Sequence, residues 1–189
     1  MNYAAQLRFK KEKVQRALKT FPSLDSTKVR SILGAERPFA YRTSAKLTFS
    51  KIQGVVRIGL YRRGTHDVVD LKNCPLHHPL INRIIDVVRD EVTRQNIFVH
   101  DPRTGKGLLR YLTVKVSPLH GKAIVTFVTS ERNFREMTHL AKGLKKKLPE
   151  VVAVHQNVNP SSGNVIFGRE TNRILGAPDL IDQVGEISL

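Results

Sequence analysis

Cysteine is nearly absent: Cys74 is the single one in 189 residues. One thiol excludes a disulfide framework and a self-contained cysteine-rich metal site, and it suits a reducing, cytoplasmic setting. Acidic residues are scarce. Sixteen Asp and Glu stand against 32 Lys and Arg, a formal net charge of +16 with histidine neutral. A field of that size draws polyanions: nucleic acid, an anionic membrane or an acidic protein. Long apolar runs are missing too. Nothing approaches the roughly 18 to 20 residues that span a bilayer. The stretch from Met1 to Lys19 is too charged to hold the apolar centre of a signal peptide. No segment is of low complexity, and no linker is long enough to force two domains.

What is present is enough for a core. The chain is 40% hydrophobic, which fits a globular domain of ordinary size. Ala4, Leu7, Val14, Ala17, Leu18 and Phe21 recur at helical spacing, and Pro22 ends that helix. A short second helix is expected at Ser26 to Leu33, closed by Gly34. Arg42 to Ser50 alternates as a strand and Val55 to Tyr61 as its partner, around a turn at Lys51-Ile52-Gln53-Gly54. Asp67 to Leu71 reads as a third short strand. Leu80, Ile84, Ile85, Val87 and Val88 mark a helix from Pro79 to Thr93. The order then repeats: strands at Leu108 to Ser117 and Ala123 to Thr129, a helix at Phe134 to Leu148, and a strand at Val151 to Val158. Short strands punctuated by Gly168, Gly176, Pro178 and Gly185 follow. The expected fold is therefore α+β, a mainly antiparallel sheet built from two hairpin-then-helix units with the helices packed on it. Residues 1–189 form one domain, with possible sub-units 1–98 and 99–189. The first helix opens at Met1 and the last strand pattern stops at Leu189, so both ends look cut.

The chemistry concentrates on the first hairpin. From Arg37 to His66 there are seven Lys or Arg and no Asp or Glu, with Tyr41, Phe49 and Tyr61 interleaved. Arginine forks suit phosphate, and aromatic rings stack on unpaired bases. A solvated hairpin face with its rings in the core is the plainer alternative. Lys142, Lys145, Lys146 and Lys147 form a second basic cluster, which reads as a solubilising helix surface. Cys74, His77 and His78, with His66 nearby, supply only half a zinc site. Asp101 to Gly107 lacks the Gly-Lys-Ser/Thr ending of a phosphate loop. No paired-carboxylate or Ser/His/Asp pattern is legible, and no strand–Gly-rich–helix unit for a dinucleotide or for S-adenosylmethionine. From residues alone the chain reads as a basic α+β domain that binds RNA or DNA and is not demonstrably an enzyme.

Four motifs in order carry a resemblance. They are Tyr41-Arg42-Thr43-Ser44-Ala45-Lys46; the stretch Gly59 to Leu76, with Tyr61-Arg62-Arg63-Gly64 and Asn73-Cys74-Pro75; Gly105 to Leu112; and Asn157, Asn159, Asn164, Ile166 and Gly168. Together they resemble the bacterial RNA (uracil-5-)-methyltransferases, which make 5-methyluridine in 23S ribosomal RNA and in transfer RNA. The resemblance covers nearly the whole chain. It implies a central RNA-binding domain whose missing neighbours are an N-terminal barrel, three cluster cysteines and a C-terminal domain that binds S-adenosylmethionine and methylates carbon 5 of uridine.

By that resemblance Arg42, Lys46, Arg62 and Arg63 face RNA. Cys74 matches the fourth ligand of a four-iron four-sulfur cluster, which needs three further thiolates. The implied partner is RNA, 23S ribosomal RNA ahead of transfer RNA, with no membrane and no obligate protein partner. The chain alone is expected to be inactive and to bind neither cofactor. The alternative is a stand-alone, non-catalytic RNA-binding protein.

Overall fold

A computed structural model describes residues 2–161 and 165–188; Asn164 lies outside them. The chain divides into two compact units after Phe39.

In the first unit, helix α1 spans Tyr3–Lys19, capped by the Asn2 side chain, which accepts from the Ala5 N–H at 2.8 Å. None of its side chains is buried. A single 3₁₀ turn follows at Pro22–Leu24. The helix expected at Ser26 to Leu33 does not form: residues 28–35 carry no regular structure. Eight residues are too few to hold a helix without an apolar surface to bury, and Leu33 is 95% exposed. The segment is instead tied to α1 by the Ala35 N–H, which donates to the Tyr3 hydroxyl at 2.7 Å.

The second unit is a sheet with helices on one face. Its strands are β1 (Ser44–Ile52), β2 (Val55–Tyr61), β3 (Val68–Asp70), β4 (Leu109–Ser117), β5 (Lys122–Thr129), β6 (Val151–Val158) and β7 (Glu170–Gly176), in the order β3-β2-β1-β4-β5-β6-β7. A small pair, β8 (Gln183–Val184) and β9 (Ile187–Ser188), stands apart. Every pairing is antiparallel except β5–β6. That one is parallel because helix α3 (Phe134–Lys147) carries the chain back across the sheet. β1 pairs with β4, so the hairpins of residues 1–98 and 99–189 lie side by side in one sheet.

The β1–β2 turn is two residues long. Gln53 and Gly54 sit at φ of 50° and 82°, the left-handed pair that matches the twist of a tight hairpin. Helix α2 (Pro79–Arg94) starts at a His78 cap with proline in its first turn. Leu80, Ile81, Ile84, Ile85, Val88 and Val92 face inward from it, as do Met137, Leu140, Ala141 and Leu144 from α3. They pack on Leu47, Ile58, Leu112 and Phe127 in one contiguous core. Each such side chain contributes about 1.5–3 kcal/mol by leaving water. Strand alternation sends Lys46, Thr48, Tyr111 and Thr113 to the other face.

Candidate nucleic-acid interface

On that other face β1, β2 and β4 enclose a recess of about 500 Å³. Of the four cations expected to face RNA, three line it: Lys46 from β1, and Arg62 and Arg63 from the turn after β2. Arg42 does not. It is exposed just ahead of β1, where its backbone pairs with Leu76 (2.9 Å) and His78 (2.8 Å).

The recess gains residues that sequence reasoning missed. Arg110, Tyr111, His100 and Ile166 line it beside Tyr61 and His66. Arg110 is the instructive case. Simple alternation along β4 puts it on the same face as Leu112. A bulge between Leu109 and Tyr111 breaks the register and re-aims the side chain. Arg110 is 7% exposed. Its guanidinium donates to the carbonyls of Asn159 (2.5 Å) and Ser161 (2.6 Å) and lies 5.7 Å from the Tyr111 ring centre.

The Asn-x-Asn motif turns out to be carpentry for the same wall. Asn157 accepts from the Gly168 N–H at 2.7 Å and donates to the carbonyls of Gly168 and Glu170. Asn159 donates to the carbonyls of Val165 (2.6 Å) and Ile166 (2.9 Å). These bonds fasten residues 165–168 beside the sheet, setting Ile166 in the recess and the Phe167 ring 5.4 Å from the Lys46 ammonium.

Ring orientation is set as well. Tyr61 is 40% exposed. The Thr48 hydroxyl donates to its oxygen at 3.2 Å, and the His66 ring meets it edge-on at 5.8 Å. Burial first, then the neighbouring Tyr61, holds the Tyr111 phenol above its usual value, so it stays a proton donor at neutral pH. Burial, aided by the Arg110 charge, holds His100 below the ordinary histidine value, with Asp101 opposing. The site thus joins phosphate-seeking cations, ring faces and neutral hydrogen-bonding groups.

Cys74 lies elsewhere, beside Asn82 and His77. The Cys74 N–H donates to Asn82 Oδ1 at 3.3 Å, and Asn82 Nδ2 returns a bond to the Cys74 carbonyl at 3.1 Å. Burial lowers the His77 pKa. Among the described residues no three His, Cys, Asp or Glu side chains group to hold a metal ion. One half-buried thiol does not fit a four-thiolate cluster. Among the described residues no helix starts on a glycine-rich turn from a strand.

Comparison with known proteins now bears on this geometry. No family model matches the chain. An uncharacterized RNA methyltransferase of Geobacter sulfurreducens is 42% identical over 187 residues, 99% of this chain and 38% of its own length. Others from Clostridium tetani (31% over 185 residues, 98% and 40%) and Halalkalibacterium halodurans (32% over 190 residues, 100% and 41%) match in the same way. Over nearly its whole length the chain is similar in sequence to these RNA methyltransferases. It spans about two-fifths of the length of the relatives it matches. The fold is also that of a segment of the Pyrococcus abyssi tRNA (uracil-54, C5)-methyltransferase, solved with S-adenosyl-L-homocysteine. The TM-score is 0.71 at 20% identity, covering 100% of this chain and 42% of that one. No helix in the described residues is long and apolar enough to cross a membrane.

Proposed function

We propose that this chain is the RNA-holding central domain of an S-adenosylmethionine-dependent RNA (uracil-5-)-methyltransferase of the cytoplasm, with ribosomal RNA as its substrate. The observation that carries this reading is the recess, where Lys46, Arg62, Arg63 and Arg110 surround the rings of Tyr61, Tyr111 and His66. A base still stacked in a helix is closed to chemistry at its ring carbons, so a base-modifying enzyme takes its substrate from an unpaired or splayed strand. The recess has what such a strand needs. Its cations neutralise phosphates, and its rings offer flat faces to unstacked bases. Neutral His100 and protonated Tyr111 offer hydrogen bonds to base edges. S-adenosylmethionine would supply the methyl group in the intact protein; the residues of this chain bind and orient the RNA.

Two measurements test the reading. In fluorescence anisotropy the chain should bind single-stranded RNA with an affinity that falls steeply as salt rises. Binding indifferent to salt, or none at about 50 mM, contradicts it. The full-length protein should then be incubated with S-adenosylmethionine and either 23S ribosomal RNA or transfer RNA, and the nucleosides analysed by mass spectrometry. New 5-methyluridine in ribosomal RNA is expected. Its appearance in transfer RNA alone overturns the choice of substrate, and its absence from both overturns the activity.

A further inference from the structure

The four lysines near the end of α3 do not act as one patch. Lys145 is bound to backbone: its ammonium donates to the Val151 carbonyl at 2.7 Å and the Pro149 carbonyl at 3.4 Å. Lys147 pairs at 3.0 Å with Glu91, a carboxylate buried between the helices. Glu91 also takes Arg94 at 2.6 Å and Gln95 at 2.7 Å. The Arg94 bond, ahead of those from Lys147 and Gln95, pulls its pKa down to about 2 against the opposing effect of burial. Gly143 makes the room, since a Cβ there would stand 2.4 Å from Glu91 Oε2.

Lys142 and Lys146 are left over, one helical turn apart. Neither has an ion pair among the described residues. With His139 they form one stripe of α3 along a groove of about 550 Å³, whose other wall is Arg94, Gln95 and Ile97. Among the described residues Glu136 is the only carboxylate lining it, so the groove keeps a positive surplus.

We propose that this groove is a second contact for the backbone of a long RNA, on the helix side of the sheet and away from the recess. The inference rests on the reading of the chain as an RNA-holding domain. Phosphate suits the groove better than bases do, because no tyrosine or phenylalanine lines it. An extended strand suits it better than a small anion. Small anions settle where helix N-termini present free N–H groups, whereas this groove meets α2 at its C-terminal end and runs along the side of α3, where the Glu136 carboxylate occupies the first turn, leaving the attraction to the cationic side chains. Those on α3 run from residue 139 to 146, about 10 Å of helix at ~1.5 Å per residue. An RNA long enough to reach it passes from the open face of the sheet to the helix face.

The test pairs two RNAs with two charge-matched variants of the full chain. The RNAs are a single strand of about four nucleotides, too short to reach from one face of the sheet to the other, and a structured 23S fragment of about 150, long enough to engage both. Lys142→Glu/Lys146→Glu should weaken binding of the long RNA about tenfold or more and flatten its salt dependence by about two contacts, leaving the short RNA within the range of the control. The control is Lys72→Glu/Lys122→Glu. Lys142→Ala/Lys146→Ala, with thermal melts of all variants, separates charge from folding. An effect on the long RNA no larger than the control's, or equal weakening of both RNAs, overturns the second contact while leaving the recess intact. Failure of the unmodified chain to bind either RNA overturns the RNA-holding reading itself.

Discussion

Around the recess on the open face, Lys46, Arg62 and Arg63 have no carboxylate within ion-pair reach among the described residues, and the buried Arg110 bonds to two backbone carbonyls rather than to an acid. Across the sheet, at the α2–α3 groove, a buried Glu91 takes two of the nearby cations and the backbone takes a third. Two runs of basic residues that look alike in sequence thus have different work. On the open face positive charge is kept in surplus, where it is free to meet a ligand. Between the helices, most of it locks elements together, and Lys142 and Lys146 have no ion pair among the described residues.

The largest expected effect breaks the locked side. Gly143→Leu drives a side chain into the Glu91 carboxylate. It should cost about 3 kcal/mol of stability in urea denaturation, while RNA binding at the recess persists below the shifted midpoint. An unchanged midpoint would mean Glu91 is not confined by α3.

Next comes Arg110→Leu, which leaves the Asn159 and Ser161 carbonyls without their donor. A loss of about 2 kcal/mol is expected, and amide exchange at residues 165–168 should quicken along with weaker RNA binding. Weaker binding with unchanged exchange would show that Arg110 touches RNA directly rather than bracing the wall.

Arg62→Glu/Arg63→Glu removes surplus charge without removing packing. RNA affinity should fall about tenfold or more and the melting temperature should stay put. An equal effect from Lys145→Glu would erase the distinction between the two clusters.

Acid separates the two sides in another way. Burial holds His77, His100 and His155 below the ordinary histidine value. Their unfolded forms therefore bind more protons, and stability should begin to fall as pH drops through about 6.5. Glu91 is depressed from 4.5 to about 2, so its contribution is complete above 4.5 and is lost between there and about 2. Chemical denaturation across pH should resolve both stages, and Glu91→Gln should shrink only the lower one, to which Glu150 and Glu170, also held below the usual carboxylate value, contribute the remainder.

The smallest effect is Tyr61→Phe. It removes one of three acceptors within reach of the Thr48 hydroxyl and keeps the ring face, so stability should change by less than about 1 kcal/mol and stacking on RNA should survive. Tyr61→Leu should weaken binding by about 1–3 kcal/mol in the same anisotropy assay.

Much of this was legible beforehand. Alternation from Ala45 to Phe49 and helical spacing from Leu80 to Val92 are local patterns, and a buried face imposes them on the chain directly. The seven-cation run before His66 located one side of the recess for the same reason: charge without acids must face water or a polyanion. The Ser26 to Leu33 helix misled because spacing alone does not provide a surface to bury. Arg110 was hidden by a bulge, which breaks the very alternation used to read a strand. The Asn157 and Asn159 pattern was visible, but its role was not, because its partners lie 6 to 14 residues along the chain.

Composition and periodicity by themselves determined a basic α+β chain with apolar faces on two helices and a hairpin rich in positive charge unopposed by acids. Those properties follow from side-chain chemistry and local geometry. Tertiary structure alone decided which cations stay free. Whether a lysine is surplus or structural depends on the carboxylate or carbonyl that folding brings within about 3 Å of it, and for Lys147 that partner, Glu91, sits 56 residues away in sequence and one helix away in space.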